Sequence, residues 1–419
     1  MKNNIRILFI LLLAPTIALA TVGVHLAPDT YYTAKAPSRV FSSPDSLMPI
    51  RVGAERTELY FPLMEGKRVA VCGNHTSIVQ QTHLVDTLLS AGVRVTKIFC
   101  PEHGFRGEAE AGAKIQSSVD SRTGIPIISL YGSNKKPTAE QMRNLDLVIF
   151  DIQDVGCRFY TYISTLHYVM EAAAENHVDV IILDRPNPNG YFVDGPVLDT
   201  NYRSFVGMHR VPIVHGMTIG EYGNMVNEEG WLKNHIHCAL TVIPMQNYTH
   251  TRRYSLPIAP SPNLQSDEAI YLYPSLCLFE GTDISIGRGT PTPFQVFGHP
   301  LLQTGNYYFT PNPIKGVSEN PPQKGKTCRG FDLTDIAKEM KDSANSFNLN
   351  FLLTAYKNFP NPESFFTNSN FFDKLAGNAT LREQITSGKG ELEIRRSWQP
   401  ALRQFKKLRK KYLLYPDFE

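Results

Sequence analysis

LVIFDIQDVGCRFYTY, residues 147–162, is the stretch that decides the fold. Its first four residues, Leu147 to Phe150, form an unbroken apolar run of strand length. The run ends abruptly in Asp151-Ile152-Gln153-Asp154, followed by Arg158, Tyr160 and Tyr162. A strand without polar alternation is buried on both faces, as strands of parallel sheets are. Three further apolar runs end the same way. VAVC (69–72) leads to Asn74-His75-Thr76-Ser77, and KIFC (97–100) leads to Pro101-Glu102-His103-Gly104-Phe105-Arg106-Gly107. VIIL (180–183) leads to Asp184-Arg185-Pro186-Asn187-Pro188. PIISLY (126–131) and TVIPM (241–245) are of the same kind with plainer exits.

Between the runs the apolar period changes to that of helices. Val85, Leu88 and Leu89 mark a helix ending near Gly92. Met142 and Leu145 mark a second helix, and Leu166, Met170 and Ala173 a third over about 163–176. Strands alternating with helices predict an α/β fold with a parallel sheet covered on both faces. In such a sheet the C-terminal strand ends share one rim, where ligands bind. Clusters a hundred residues apart in sequence are thereby expected around one pocket.

Outside this core, residues 21–52 are rich in Pro, Ser and Thr and read as an irregular leader, and the sheet domain is expected over 53–245. From 246 to 419 the alternation is lost and Pro, Gly and aromatics become dense between Pro257 and Pro313. Helices return near 332–341, 347–357 and 395–412. The last carries Trp398, Leu402, Phe405, Leu408 and Tyr412 on one stripe, a packing face.

The first 20 residues place Lys2 and Arg6 before a short apolar run closing in Ala18-Leu19-Ala20, the layout of a secretory signal with cleavage after Ala20. The run is short for a membrane span, so no stable membrane insertion is expected after cleavage, and the chain is placed in the periplasm or outside the cell. Removal of Lys2 and Arg6 leaves 40 basic against 39 acidic residues. That near-neutral balance, with no basic stripe, argues against nucleic acid as a partner. The basic group Arg403, Lys406, Lys407, Arg409, Lys410 and Lys411 on the last helix reads as a solvated face. Six scattered cysteines show no metal-ligand spacing, and no obligatory disulfide is expected in a chain of 419 residues.

Four acids carry catalytic readings. Glu102 follows a strand between Pro101 and Gly104, and serves either as general acid or base or as a loop carboxylate paired with Arg106. Asp151 and Asp154 suit paired-carboxylate glycoside hydrolysis or a divalent cation; alternatively Asp154 caps a turn and Asp151 pairs with Arg158. Arg185 either forks onto a substrate carboxylate or ties the loops together. Glu280 and Arg288 offer another acid and another cation. Neither a G-x-x-x-x-G-K-[ST] loop nor a G-x-G-x-x-G fingerprint follows the first strand, and G-x-S-x-G and H-E-x-x-H are absent. No cofactor and no metal are expected.

Taken together with Ser129-Leu130-Tyr131-Gly132, His215-Gly216-Met217-Thr218, Pro260-Ser261-Pro262-Asn263-Leu264, Glu280-Gly281-Thr282 and Gly287-Arg288-Gly289-Thr290, these motifs resemble the exo-β-N-acetylmuramidases of the NamZ type, from about Gly53 to Tyr415. The resemblance implies removal of terminal N-acetylmuramic acid from the non-reducing end of peptidoglycan fragments such as MurNAc-GlcNAc saccharides. It also implies a Rossmann-like domain beside a smaller α+β auxiliary domain, with the active site in the cleft. In that frame Glu102 is the general acid, Asp151 or Asp154 orients substrate or water, and Glu280 is the reserve. An arginine among Arg106, Arg158, Arg185 and Arg288 clamps the lactyl carboxylate, and Tyr131, Tyr160 and Tyr162 contact sugar. Asn74, His75, His103, Asp184 and Asn187 complete the expected binding set. Two positions depart from the family pattern: Ala113 and Gln295 stand where many members carry Glu. A non-catalytic muropeptide binder of the same fold is the alternative reading.

Overall fold

The computed structural model describes residues 48–101, 104–106, 118–341, 343 and 347–419. The expected signal, most of the leader, Glu102, His103, Gly107 and Ala113 lie outside the described residues. Among the described residues, no helix is long and apolar enough to cross a membrane.

Six parallel strands form the central sheet: β1 (Val69–Gly73), β2 (Val95–Cys100), β3 (Pro126–Ser129), β4 (Leu147–Asp151), β5 (Asp179–Leu183) and β6 (Leu240–Ile243). Their spatial order is β3-β2-β1-β4-β5-β6, with Ser118–Val119 added antiparallel beside β3. This is the doubly wound Rossmann order, and the direction of winding reverses between β1 and β4. Each apolar run of the sequence is one of these strands.

Successive side chains of the strands alternate between two apolar layers. Val69, Val71, Ile149 and Ile181 pack with Leu84, Val85 and Leu88 of α1 (Leu84–Ser90). Ala70, Cys72, Val148, Phe150, Val180 and Ile182 pack on the other side against Leu166, Val169 and Met170 of α3 (Tyr162–Glu175). The short α2 (Ala139–Met142) precedes β4. The helix α4 (Ile219–Glu228), absent from the sequence reading, did carry a start signal: Thr218 Oγ1 accepts from Glu221 N at 3.3 Å while Glu221 Oε2 accepts from Thr218 N at 2.9 Å. That reciprocal pairing satisfies two donors of the first turn.

The C-terminal domain contains α5 (Asp267–Leu276), a small antiparallel sheet and the helices α6 (Thr334–Met340), α7 (Asn350–Lys357), α8 (Ser369–Ala376), α9 (Thr380–Thr386) and α10 (Glu391–Arg409). The small sheet is β7 (Val296–His299), β8 (Tyr307–Phe309) and β9 (Cys328–Asp332) in the order β7-β9-β8. Its strands are only four, three and five residues long, and Gly298, Arg329 and Gly330 interrupt two of them, so they do not show as apolar runs. Phe279, Phe297 and Trp398 belong to the same apolar cluster as Phe150 and Leu166, so this domain is built onto the α3 face of the sheet.

One reading of the last helix is corrected. Arg409 is not part of a solvated face but fully buried, since its Nε and Nη2 donate to Gly216 O at 2.9 and 2.7 Å and the guanidinium pairs with Asp417. The helix stripe brings it inward, and a backbone carbonyl with a carboxylate meets its donors. The chain end is held nearby: Tyr415 Oη donates to Asp184 Oδ2 at 2.6 Å and accepts from Met245 N at 2.9 Å. All six cysteines are free and buried.

Candidate functional site

The reversal of winding sets β1 and β4 side by side with their following loops diverging, and the loops there are latched to each other. Asn74 Oδ1 accepts from Thr76 N at 2.9 Å and Thr76 Oγ1 at 2.6 Å, and Thr76 Oγ1 accepts from Gln153 N at 3.0 Å. Ser77 Oγ donates to Asp151 O. A Cβ on Gly73 would lie 2.6 Å from Ser77 Oγ, so this close turn requires glycine. With its acceptor side thus occupied, Asn74 turns Nδ2 to Tyr162 Oη at 3.0 Å and places that ring.

Tyr162 is part of the wall of a cavity of about 730 Å³ between the rim and the C-terminal domain. Tyr131 from the β3 exit and Phe159, Tyr160 and Tyr162 from the segment after β4 meet Tyr273 of α5 and Phe294 there. The rings are set edge to face: Tyr160 lies 4.9 Å from Tyr162 and 5.7 Å from Tyr273, and Tyr273 lies 5.1 Å from Phe294. Such amphipathic walls take the apolar faces of a sugar while meeting its hydroxyls. Tyr160 Oη donates to Pro260 O at 2.9 Å. Among the described residues, Glu280 is the one carboxylate of the lining; Arg288 donates to its Oε1 from Nη2 at 2.6 Å and Nε at 3.2 Å. Both bonds fall on Oε1, leaving Oε2 for a ligand. A second cavity of about 400 Å³ shares Glu280, Arg288 and Phe371 as its wall.

Of the residues singled out from sequence, Tyr131, Tyr160, Tyr162, Glu280 and Arg288 line this cavity, as do Gly132, Ser261, Asn263 and Leu264 of the quoted motifs. The others described do not, and each has a structural partner. Asp151 receives Arg185 in a buried fork, Nε to Oδ1 at 2.6 Å and Nη2 to Oδ2 at 2.9 Å. The partner of Asp151 is therefore Arg185 and not Arg158, and Arg185 ties loops together, reaching Ile78 O as well. Arg158 is fully buried and donates to the carbonyls of Pro196, Val211 and Leu375, each at 2.8 Å, which stitches both domains. Arg106 pairs with Asp120 at 2.8 Å and Asp86 at 3.6 Å. Asp184 accepts from Thr218 Oγ1, Gly220 N and Tyr415 Oη, and Asn187 Nδ2 donates to Met217 O. His75 Nε2 lies 2.8 Å from Ala259 O.

Residues 69–268 match the family "Exo-beta-N-acetylmuramidase NamZ, N-terminal" and residues 271–415 its "C-terminal" counterpart. The sequence is 38% identical to the peptidoglycan β-N-acetylmuramidase NamZ of Bacillus subtilis (strain 168), over 93% of this chain and 94% of that one. The chain belongs to the NamZ family. Two crystal structures of DUF1343-family proteins from Bacteroides fragilis share the NamZ-family fold seen here. One has a TM-score of 0.82 at 48% identity over 88% of this chain and 100% of that one. The other has a TM-score of 0.71 at 28% identity over 87% and 99%.

Several residues of this NamZ-family cavity escaped the sequence reading: Lys135, Phe205, Tyr273, Phe294 and Lys374. The aromatic density between 257 and 313 was a signal for Tyr273 and Phe294, whereas Lys135 and Lys374 lie in no pattern that marks them.

Asp154 sits beneath the rim and not in the cavity. Its Oδ2 accepts from Gly156 N at 2.7 Å, the turn-capping role. Its Oδ1 has no partner, and His215 Nε2 lies 3.9 Å from Oδ2. Burial pushes the Asp154 carboxyl up to about 7, and burial with Arg409 pushes His215 down to about 3. An unfolded aspartate releases its proton near 4, about 3 units lower. Between those values the folded chain holds the extra proton, so the contribution of Asp154 to stability is full below about pH 4 and is lost as pH rises toward 7. Asp154→Asn is expected to gain stability over the parent at pH 8 relative to pH 5, by about 2–3 kcal/mol at most, because part of the effect is already lost between pH 4 and pH 5. Urea unfolding at the two pH values measures this, and an equal difference at both would show that Asp154 does not titrate between them.

Proposed function

We propose that the protein is an exo-acting glycoside hydrolase that releases terminal β-1,4-linked N-acetylmuramic acid from the non-reducing end of peptidoglycan fragments. The observation that carries the reading is a sugar-sized, aromatic-walled cavity at the winding reversal with Glu280 in its wall, in a chain 38% identical to a peptidoglycan β-N-acetylmuramidase. Saccharides of the MurNAc-GlcNAc type are the substrates proposed, with the sugar bound between the sheet domain and the C-terminal domain.

In the proposed chemistry Glu280, held by Arg288, acts as an acceptor. An ion-paired carboxylate with one free oxygen orients the substrate's acetamido N–H or an attacking water. Glu102 is proposed as the acid that protonates the leaving oxygen. The acetamido group permits a substrate-assisted route, in which one protein acid suffices. Export is part of the proposal, because the first 20 residues have the layout of a cleavable signal, and the peptidoglycan of a bacterial cell lies beyond the cytoplasmic membrane.

The direct test is chromatographic detection of free N-acetylmuramic acid after incubating the purified mature chain with MurNAc-GlcNAc. Release is the expected result. Saturable binding of the disaccharide without release would replace the hydrolase with a muropeptide-binding protein.

A further inference from the structure

The arginines that a lactyl carboxylate was expected to meet are engaged elsewhere. Arg158 holds three carbonyls, Arg185 holds Asp151, and Arg106 holds Asp120 and Asp86. Arg288 lines the cavity but is matched by Glu280 at 2.6 Å. Two further cations line the same cavity: Lys135, in the loop after β3, and Lys374, near the C-terminal end of α8. Neither has an ion-pair partner among the described residues. Lys135 Nζ rests 4.5 Å from the centroid of Phe205, also of the lining. That contact steers the ammonium without neutralising it. With Glu280 and Arg288 cancelling, the described lining carries two uncompensated positive charges.

From this charge balance we infer that Lys135 and Lys374 form an anion subsite that binds the lactyl carboxylate of muramic acid and selects that sugar over N-acetylglucosamine. The inference rests on the hydrolase reading above. The two sugars differ by the lactyl ether alone, so discrimination between them must come from groups that meet that substituent. A carboxylate entering a partly desolvated, aromatic cavity needs a cation there, and a charge-assisted hydrogen bond supplies the difference. Two lysines from opposite halves of the chain also make the subsite complete only when both domains are in place.

The test is calorimetric binding of three neutral or charged sugars to the intact protein: N-acetylmuramic acid, its lactyl amide and N-acetylglucosamine. The parent should favour the acid over the other two, and added salt should weaken that preference. Lys374→Met and Lys135→Met should each reduce affinity for the acid by about ten- to a hundredfold. Their affinities for the amide should change much less, and Lys→Arg at either position should restore part of the preference. An unchanged preference for the acid in both Met variants overturns the subsite. Equal losses for acid and amide overturn it too, by showing a packing role. If the parent releases N-acetylmuramic acid while the lysine variants keep their preference, only this inference fails. A parent that neither binds nor releases N-acetylmuramic acid removes the hydrolase reading as well.

Discussion

Glu280→Gln is expected to lower kcat on MurNAc-GlcNAc by about 10²- to 10⁴-fold, the range over which a positioned acid, base or orienting carboxylate acts. The substitution keeps the shape of the side chain and removes the charge that faces Arg288. Both partners are roughly one-quarter exposed, with side-chain exposures of 26% for Glu280 and 22% for Arg288. Because both side chains are mostly covered, removing the charge leaves Arg288 partly unmatched, and the variant should melt somewhat below the parent while staying folded. The loss should appear in kcat more than in KM if Glu280 acts on the reacting centre, and in KM alone if it merely binds sugar. Glu102→Gln belongs in the same assay, because the proposed scheme needs a proton donor that Glu280 does not supply. A Glu280→Gln variant within about threefold of the parent in kcat/KM would remove Glu280 from the chemistry. Retained activity in Glu102→Gln would remove Glu102 as the proton donor.

The second large effect concerns stability. Asp151 is fully buried and Arg185 nearly so, and the carboxylate takes both bonds of the fork. Asp151→Asn leaves the guanidinium without its counter-charge inside the protein, which should cost about 3–5 kcal/mol. Arg185→Met added to it should recover part of that loss, since no lone charge then remains buried. Urea midpoints of the single and double variants measure the coupling. A loss below about 1 kcal/mol for Asp151→Asn would mean that solvent reaches the pair and that its stabilisation resembles that of a surface bridge.

The contrast between these two carboxylates shows where sequence reading stops. Asp151 and Glu280 both follow apolar segments, and both lie within the stretches that match the family. One is a tie beneath the rim and the other is in the cavity wall. The strands were legible because burial on both faces of a parallel sheet removes polar alternation, leaving runs such as Leu147 to Phe150. The rim position of the polar clusters followed from the same pattern, since chain direction alone puts all strand ends on one edge. The helix α4 was legible in principle through its Thr218–Glu221 start signal. The strands β7, β8 and β9 were not, because their stability comes from packing on neighbours distant in the chain.

By itself, then, the sequence determined the α/β class, the sheet strands, the family and the edge of the sheet beside which the cavity lies, all of which depend on local periodicity and ordered motifs. Tertiary structure decided which charged groups are available to a ligand. The fate of a guanidinium depends on acceptors far away in sequence: Arg158 meets carbonyls of Pro196, Val211 and Leu375, whereas nothing offsets Lys135 and Lys374 in the described cavity lining. A motif specifies a side chain's chemistry, but only the folded chain determines whether that chemistry has already found a partner.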